Sequence, residues 1–177
     1  MSERLPSKQE ALSFLIQSGC TPNVVKHCKA VSNYAVKLAK AFEKKGRNID
    51  VRLVEIAGLL HDIGRSKTHT VNHALIGANI TRSLGLPDSV VLIIERHVGG
   101  GIPKDEARQL VWPARDYVPQ TLEEKIVCYA DKRVEGLRIV PIEKTLKTYS
   151  ASLGKTHPAI DRIKRLHREF VSQLGDV

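Results

Sequence analysis

The sequence predicts an all-α protein. Apolar residues recur at steps of three and four along most of the 177 residues, which is the spacing of one buried helix face. Two capping boxes, Ser7–Glu10 and Thr121–Glu124, carry the polar N-cap and the acidic residue that open helices. No run of alternating apolar and polar residues is long enough to predict a strand. We therefore expect residues 1–177 to form a single all-α domain.

Five helices are predicted in the first hundred residues. Most are bounded by a polar N-cap, a proline in the first turn or a glycine just beyond the last turn, which are common helix boundaries. Segment 51–60 is apolar on nearly all sides and indicates a buried helix. By residue number, the five predicted helices span 7–19, 21–46, 51–60, 71–84 and 87–97.

The second half of the chain mixes helices with irregular segments. Gly99–Gly101 predicts a loop, and the chain leading to Pro119 is expected to be irregular in its second half. A helix is expected to begin at Thr121, and two more in the tail from residue 141. Two histidines of the tail, His157 and His167, are expected to be solvated.

The composition is that of a globular and strongly basic protein. Hydrophobic residues make up 42%, and no apolar run approaches the ~20 residues of a membrane span. The 28 Lys and Arg against 19 Asp and Glu give a net charge of +9, which favours nucleotides, RNA or phosphorylated metabolites as partners. A solvated basic surface explains the charge equally well. Aromatic residues make up only 5%, so stacking platforms for single-stranded nucleic acid are scarce.

The cysteines and the N-terminal residues predict a cytoplasmic protein. Cys20, Cys28 and Cys128 are odd in number and lack metal-finger spacing, which is typical of buried thiols in a reducing compartment. The N-terminal residues lack the apolar stretch of a signal peptide. We expect no membrane partner.

The pair His61-Asp62 is the most informative motif. It follows the apolar run Ile56–Leu60, so both side chains are expected where a buried helix ends. Imidazole and carboxylate ligands suit divalent iron, manganese, zinc, nickel or cobalt. Taken alone, the dipeptide is equally explained by a histidine near the negative end of a helix dipole.

Four other metal-capable residues lie on or beside apolar helix faces. Each alone is more often a satisfied core residue than a ligand, although a lone buried carboxylate is costly unless paired. Several helices that each bring such a residue towards one core favour a metal site. Together with His61 and Asp62, these residues could hold two metals with one bridging carboxylate. The four residues are His27, His73, His97 and Asp131.

The segment Leu59–Gly64, which reads Leu-Leu-His-Asp-Ile-Gly, resembles the HDIG group of the HD-domain metal-dependent phosphohydrolases. His27 upstream and the Tyr-Ala-Asp-Lys segment around Asp131 complete the ordered set of that superfamily. The resemblance covers roughly residues 22–135 and implies a helical bundle, extended here by C-terminal helices over 137–177. It implies His27, His61, Asp62 and Asp131 as ligands of one metal.

The chain also resembles the dinuclear, diadenosine-polyphosphate-hydrolase-like branch of this superfamily. The segment His73-Ala-Leu-Ile-Gly77-Ala78 and the pair Arg96-His97 are similar to segments of those enzymes. That likeness implies a second metal held by His73 and His97, with Asp62 bridging. The residues after His97 lack the Gly-Tyr-Pro of the cyclic-di-GMP branch.

Basic residues recur close in sequence to the predicted ligands. Arg and Lys at such positions could neutralise substrate phosphate oxygens, although each alone is more often a surface cation. The candidate phosphate-binding residues are Arg65, Lys67, Arg96, Lys104, Lys132 and Arg133.

We therefore predict a metal-dependent phosphohydrolase that cleaves a phosphoester or phosphoanhydride bond in a nucleotide or related molecule. Its cofactor is expected to be a divalent transition metal, two per chain, and Asp62 and His61 are the predicted catalytic residues. A metal lowers the pKa of its water and polarises phosphoryl oxygens. The alternatives are a nucleotide-sensing metal-binding module without turnover, and a basic RNA-binding protein with a structural metal.

Overall fold

Helices begin at the predicted caps. In the computed structural model, which describes residues 4–175, the Ser7 hydroxyl accepts a hydrogen bond from the Glu10 amide at the start of α1 (Lys8–Ser18). The Glu10 carboxylate in turn accepts one from the Ser7 amide. The first three and last two residues of the predicted domain, and part of the N-terminal segment used to exclude a signal peptide, lie outside the described residues.

Nine α-helices make up most of the described chain, which confirms the all-α prediction. Thr21 and Thr121 cap the helices that follow them through their side-chain hydroxyls. After α1, the helices are α2 (Pro22–Lys44), α3 (Val51–Leu60), α4 (His73–Ser83), α5 (Asp88–Arg96), α6 (Lys104–Gln109), α7 (Leu122–Arg133), α8 (Ile142–Leu153) and α9 (Pro158–Leu174). Among residues 4–175, no helix combines the length and the apolarity needed to cross a bilayer.

A small β-hairpin between α7 and α8 was not predicted. Strand β1 (Val134–Glu135) pairs antiparallel with β2 (Arg138–Ile139), and Val134 lies opposite Ile139. Each strand has two residues, which is too short to show the alternation that identifies strands in a sequence. The predicted boundary between the core, roughly residues 22–135, and the C-terminal extension over 137–177 therefore falls inside this hairpin.

One large hydrophobic core joins most of the helices. Helices α2 and α3 approach each other closely because Gly58 of α3 has no side chain. A Cβ at Gly58 would lie 3.0 Å from the Cα of Ser32 in α2. The C-terminal helix belongs to the same core, since Phe170 of α9 packs edge-on against Phe42 of α2 with ring centroids 5.3 Å apart. The helices that carry the predicted ligands are thus fixed against one another by shared packing.

The predictions about the cysteines and about the histidines of the tail have different outcomes. The three cysteines are free and buried, as predicted. The expectation of a solvated His167 is wrong, because its Nδ1 lies 2.8 Å from the Tyr129 hydroxyl. His157 caps α9 by accepting a hydrogen bond from the Ala159 amide, so it too has a structural role.

Candidate metal centre

His61 and Asp62 lie where α3 ends and a 3-10 turn over Ile63–Ser66 begins. His61 is fully buried, and its Nδ1 lies 2.8 Å from the carbonyl oxygen of Gly58. Because a carbonyl only accepts, this hydrogen bond assigns a proton to Nδ1 and directs Nε2 away from the backbone. Within residues 4–175, the buried Nε2 atom has no hydrogen-bond partner.

Two further histidines repeat this arrangement. Nδ1 of His73, at the start of α4, lies 2.7 Å from the Thr70 carbonyl oxygen. Nδ1 of His97, just after α5, lies 2.6 Å from the Ile94 carbonyl oxygen. In each case the acceptor is the carbonyl three residues earlier. The backbone therefore orients these rings with Nε2 inward, as hydrogen bonds from the other ring nitrogen do for metal-ligating histidines.

One side of the cluster, which we call the outer half, contains His27, His61, Asp131 and the Oδ2 atom of Asp62. The Oδ1 atom of Asp131 lies 3.1 Å from His27 Nε2 and 3.4 Å from His61 Nε2. Asp62 Oδ2 lies 3.6 Å from His61 Nε2 and 3.9 Å from His27 Nε2. These four side chains come from α2, from the end of α3 and from α7, so the packing of those helices assembles the outer half.

The other side, which we call the inner half, contains His73, His97 and the Oδ1 atom of Asp62. Asp62 Oδ1 lies 3.1 Å from His73 Nε2 and 3.6 Å from His97 Nε2. The two Nε2 atoms are 3.1 Å apart. With the ring protons on Nδ1, both atoms are acceptors, and their lone pairs repel unless a cation or a proton bridges them.

This donor set fits divalent metal ions. Asp62 Oδ1 and His61 Nε2 are buried without a hydrogen-bond partner among residues 4–175, which is costly for polar atoms unless something binds them. Two groups of three ligand atoms each lie within 4.8 Å of one another: His27, His61 and Asp131, and His61, Asp62 and His97. Nitrogen and carboxylate donors of this kind suit first-row transition metals.

The electrostatics of the cluster favour bound cations. Burial by itself would raise the pKa of Asp62, but His61 and two further histidines lower it well below its usual range. Burial opposes ionisation of Asp131 too, yet Lys132 and the imidazoles hold its pKa well below its usual range. Burial lowers the pKa of His97 to about 4, so this ring is neutral near pH 7. The cluster thus combines two ionised carboxylates with at least one neutral imidazole.

Comparison with protein families identifies residues 24–134 as an HD domain. The chain belongs to the HD-domain family. The matched range begins three residues before His27 and ends three residues after Asp131, so it contains both halves of the cluster.

Sequence relatives of this HD-domain chain carry different names. It is 50% identical over 166 residues to an uncharacterized protein from Methanocaldococcus jannaschii, covering 94% of this chain and 98% of that protein. It is 37% identical to a tRNA (cytidine(56)-2'-O)-methyltransferase from Picrophilus torridus, covering 97% of this chain and 48% of that enzyme. It is 28% identical to Ribonuclease Y from Aquifex aeolicus, covering 86% of this chain and 24% of that protein. The chain therefore spans about half of the methyltransferase and about a quarter of the ribonuclease.

A solved structure shares the fold. The HD domain of the L. monocytogenes phosphodiesterase PgpH, in complex with cyclic-di-AMP, superposes with a TM-score of 0.53 at 18% identity. The match covers 95% of this chain and 98% of that one. This likeness confirms the HD-domain helical fold.

Two of the six candidate phosphate-binding residues contact the carboxylates of the HD-domain cluster. Nε of Arg65 lies 2.7 Å from Asp62 Oδ2, and the Arg65 side chain is 30% exposed. The Lys132 ammonium pairs with Asp131 Oδ2 and is almost fully buried. Arg65 is therefore the cation with both a link to the cluster and access to solvent.

Among residues 4–175, no hydrogen bond or ion pair joins the other four candidates to Asp62 or Asp131. Arg96 forms an ion pair with Glu124 at 3.0 Å, and Arg133 donates to the Val140 carbonyl and to the Tyr129 hydroxyl. The remaining two, Lys67 and Lys104, are exposed. Neighbouring helical residues point about 100° apart, so a cation next to a ligand in sequence need not share its site.

Gly64 has a positioning role that the sequence did not indicate. A Cβ at Gly64 would lie 1.9 Å from the His73 carbonyl oxygen, so only glycine lets the 3-10 turn lie against the start of α4. That contact brings His73 to Asp62. The orienting carbonyls of Gly58, Thr70 and Ile94 were missed as well, and no sequence signal could have found them, because every residue has a carbonyl group.

Proposed function

We propose that the protein is a metal-dependent phosphohydrolase that cleaves a phosphoester or phosphoanhydride bond in a nucleotide or a related phosphorylated molecule. The observation that carries this proposal is the position of Asp62. Its two oxygens face two different sets of imidazole nitrogens, Oδ2 in the outer half and Oδ1 in the inner half. This is the arrangement that a carboxylate bridging two divalent metals requires.

The six ligands proposed here divide between two cations. The outer half would hold one and the inner half the other, with Asp62 shared. Bound divalent metals lower the pKa of coordinated water and stabilise the charge that develops on a transferred phosphoryl group. The identity of the metals, among iron, manganese, zinc, nickel and cobalt, is part of the proposal.

The protein's own residues orient the substrate. His27 and Asp131 are the most exposed ligands, at 21% and 15%, so the phosphate enters from the outer half. The Arg65 guanidinium lies beside Asp62 and can donate to non-bridging phosphate oxygens from there. Lys132 keeps Asp131 ionised and in place, because its ammonium is bonded to the carboxylate oxygen that faces away from His27.

The test is a metal analysis of the purified protein, followed by assays of phosphate or nucleotide release. The panel contains diadenosine polyphosphates, cyclic dinucleotides and nucleoside monophosphates, each with Mn²⁺, Fe²⁺, Co²⁺ and Ni²⁺. We expect bound metal and turnover of at least one nucleotide. Bound metal without turnover of any panel member or of RNA would instead favour a nucleotide-sensing module.

RNA is a second candidate substrate or ligand. Relatives named as a tRNA methyltransferase and a ribonuclease contain a region similar to this chain, and the net charge of +9 suits a polyanion. Release of nucleotides from an oligoribonucleotide, at a rate above that for the mononucleotides, would favour this candidate. Binding of RNA without its hydrolysis would favour an RNA-binding protein with a structural metal.

A further inference from the structure

A groove of about 380 Å³ runs between α2 and the β1–β2 hairpin, outside the metal centre. Lys26, Lys29 and Lys37 of α2 line one wall, and Leu137 and Ile139 of the hairpin line the other. The three lysines are exposed. Within residues 4–175, none of their ammonium groups pairs with a carboxylate, so their positive charge is available to a ligand.

The length of this lysine row indicates the size of the ligand. Lys26 and Lys37 are separated by three turns of α2, or about 16 Å along the helix axis. A single phosphate group cannot contact both ends of such a row. A ligand with several phosphates spaced along a chain can.

Tyr34 brings an unpaired polar atom to the groove, and a buried cation lies next to its ring. Tyr34 lines the groove and is 6% exposed, and its hydroxyl has no hydrogen-bond partner among the described residues. The Arg133 guanidinium lies 5.9 Å from the centre of the Tyr34 ring and is buried. Among residues 4–175, Arg133 pairs with no carboxylate; it donates hydrogen bonds to the Val140 carbonyl and to the Tyr129 hydroxyl. An uncompensated buried cation raises the positive potential of the groove above it.

The groove adjoins the accessible side of the metal centre. Ala30 of the groove lies three residues after His27 on the same face of α2, and Val134 of the groove wall lies three residues after Asp131. His27 and Asp131 are also the most exposed ligands of the cluster. A strand lying in the groove therefore ends close to the side of the metal centre that a substrate can reach.

We propose that this groove holds the phosphate backbone of a single-stranded RNA whose reactive end lies at the metal centre. The lysines contact successive phosphates, and bases lie against Leu137 and Ile139, which are 66% and 48% exposed. We favour RNA over an acidic peptide because relatives that contain a region similar to this chain are named as a tRNA methyltransferase and a ribonuclease. The choice of RNA, and the placement of its reactive end, rest on the proposed function.

Fluorescence anisotropy with a phosphorothioate-linked, labelled oligouridine of about 12 nucleotides tests this proposal, since that probe resists hydrolysis and is long enough for such a site. The variant combines Lys26→Gln, Lys29→Gln and Lys37→Gln. The control combines Lys155→Gln, Lys164→Gln and Arg168→Gln, which remove the same charge from exposed positions outside the groove. Thermal unfolding followed by circular dichroism verifies that both variants are folded.

We expect the groove variant to bind the probe at least about tenfold more weakly, and the control to stay within about twofold of the wild type. The plot of log K against log salt should flatten by about 2 units in the groove variant alone, because each single-strand phosphate contact contributes about 0.7. Equal affinity and slope in the wild type and the groove variant would overturn the proposal. So would displacement of the probe by polyglutamate as readily as by unlabelled RNA.

Hydrolysis of bis(p-nitrophenyl) phosphate by the wild-type protein separates this inference from the proposed function. That substrate has one phosphate and does not span the groove. If the wild type hydrolyses this substrate but the groove substitutions do not change RNA affinity, the RNA-binding groove is contradicted and the proposed function is not. A groove-dependent RNA affinity without hydrolysis of this substrate, of RNA or of any nucleotide contradicts the proposed function and leaves the RNA site supported.

Discussion

The two halves of the metal centre differ in how their ligands are held. In the inner half, the His73 and His97 side chains are 5% and 1% exposed, and each ring is bonded to a backbone carbonyl. In the outer half, His61 is likewise buried and bonded to the Gly58 carbonyl, but the His27 and Asp131 side chains are 21% and 15% exposed, and they contact each other. A buried ligand whose ring is bonded to a backbone carbonyl keeps its position whether or not a metal is bound. The inner half is therefore fixed and the outer half adjustable, and under the proposed function substrate would exchange with water at the outer half.

Asp62→Ala removes the one ligand that both halves share, and we expect it to have the largest effect. Metal content should fall to near zero, and turnover should fall at least about a hundredfold, which is the scale for loss of one preorganised electrostatic group. Elemental analysis and phosphate-release assays measure the two quantities. Asp105→Ala, at an exposed aspartate on α6, is the matched control and should behave as the wild type. An Asp62→Ala protein with full activity would exclude metal-assisted hydrolysis at this site.

His73→Ala and His27→Ala compare the two halves directly. We expect His73→Ala to lower the metal content from two ions per chain to one, because water cannot readily reach a buried position to replace the lost ligand. We expect His27→Ala to bind two ions at saturating metal but to hold one of them more weakly, because water can reach its position. Titration with Mn²⁺ followed by elemental analysis gives the stoichiometry. Saturation of the wild type at one ion per chain would show that the inner half is not a metal site.

Gly64→Ala tests how the inner half is assembled. The new methyl group would lie 1.9 Å from the His73 carbonyl oxygen, so the 3-10 turn and α4 must separate. We expect a loss of about 3 kcal/mol in the free energy of unfolding, measured with urea, together with weaker binding of one metal. Gly46→Ala is the control: nothing lies near its Cβ, and its positive φ alone costs about 1 kcal/mol. Equal losses in the two variants would show that the turn adapts to the extra methyl group.

The helices and the ligand positions were predictable because local signals report them. The Ser7 and Thr121 caps act within three residues, and the apolar spacing of α2 reflects one buried face. The six ligands could be selected because histidines and aspartates on apolar helix faces are uncommon and must have partners. The structure brings those six side chains together, and metal binding by them stays a prediction.

The surroundings of the ligands were not predictable, because they depend on long-range packing. Sequence adjacency placed Arg96 beside His97, but packing of α5 against α7 pairs Arg96 with Glu124 instead. The hairpin is too short to leave a pattern, so the groove that it forms with α2 had no sequence signal. In the sequence, the lysines of α2 do not differ from those of an ordinary solvated helix face.

The smallest expected effect is a pH dependence of the free energy of unfolding that comes from His97. Burial lowers the pKa of His97 to about 4 in the folded protein, against 6.5 for a free side chain. Between these values the unfolded chain binds a proton that the folded chain does not, so the free energy of unfolding should decrease as the pH falls from about 6.5 to about 4. Asp62 and Asp131, whose pKa values are lowered, lose their contribution only at more acidic pH. Burial by itself would lower the pKa of His61, but Asp62 raises it well above 6.5, so the contribution of His61 is lost only as the pH rises above that value.

His97→Gln should therefore flatten the stability profile between about pH 4 and 6.5 while leaving the more acidic limb unchanged. Urea unfolding at a series of pH values, with a chelator present so that metal release does not contribute, measures the profile. Gln retains a polar side chain of similar length but does not titrate. An unchanged slope in this variant would show that His97 does not stay neutral in the folded protein.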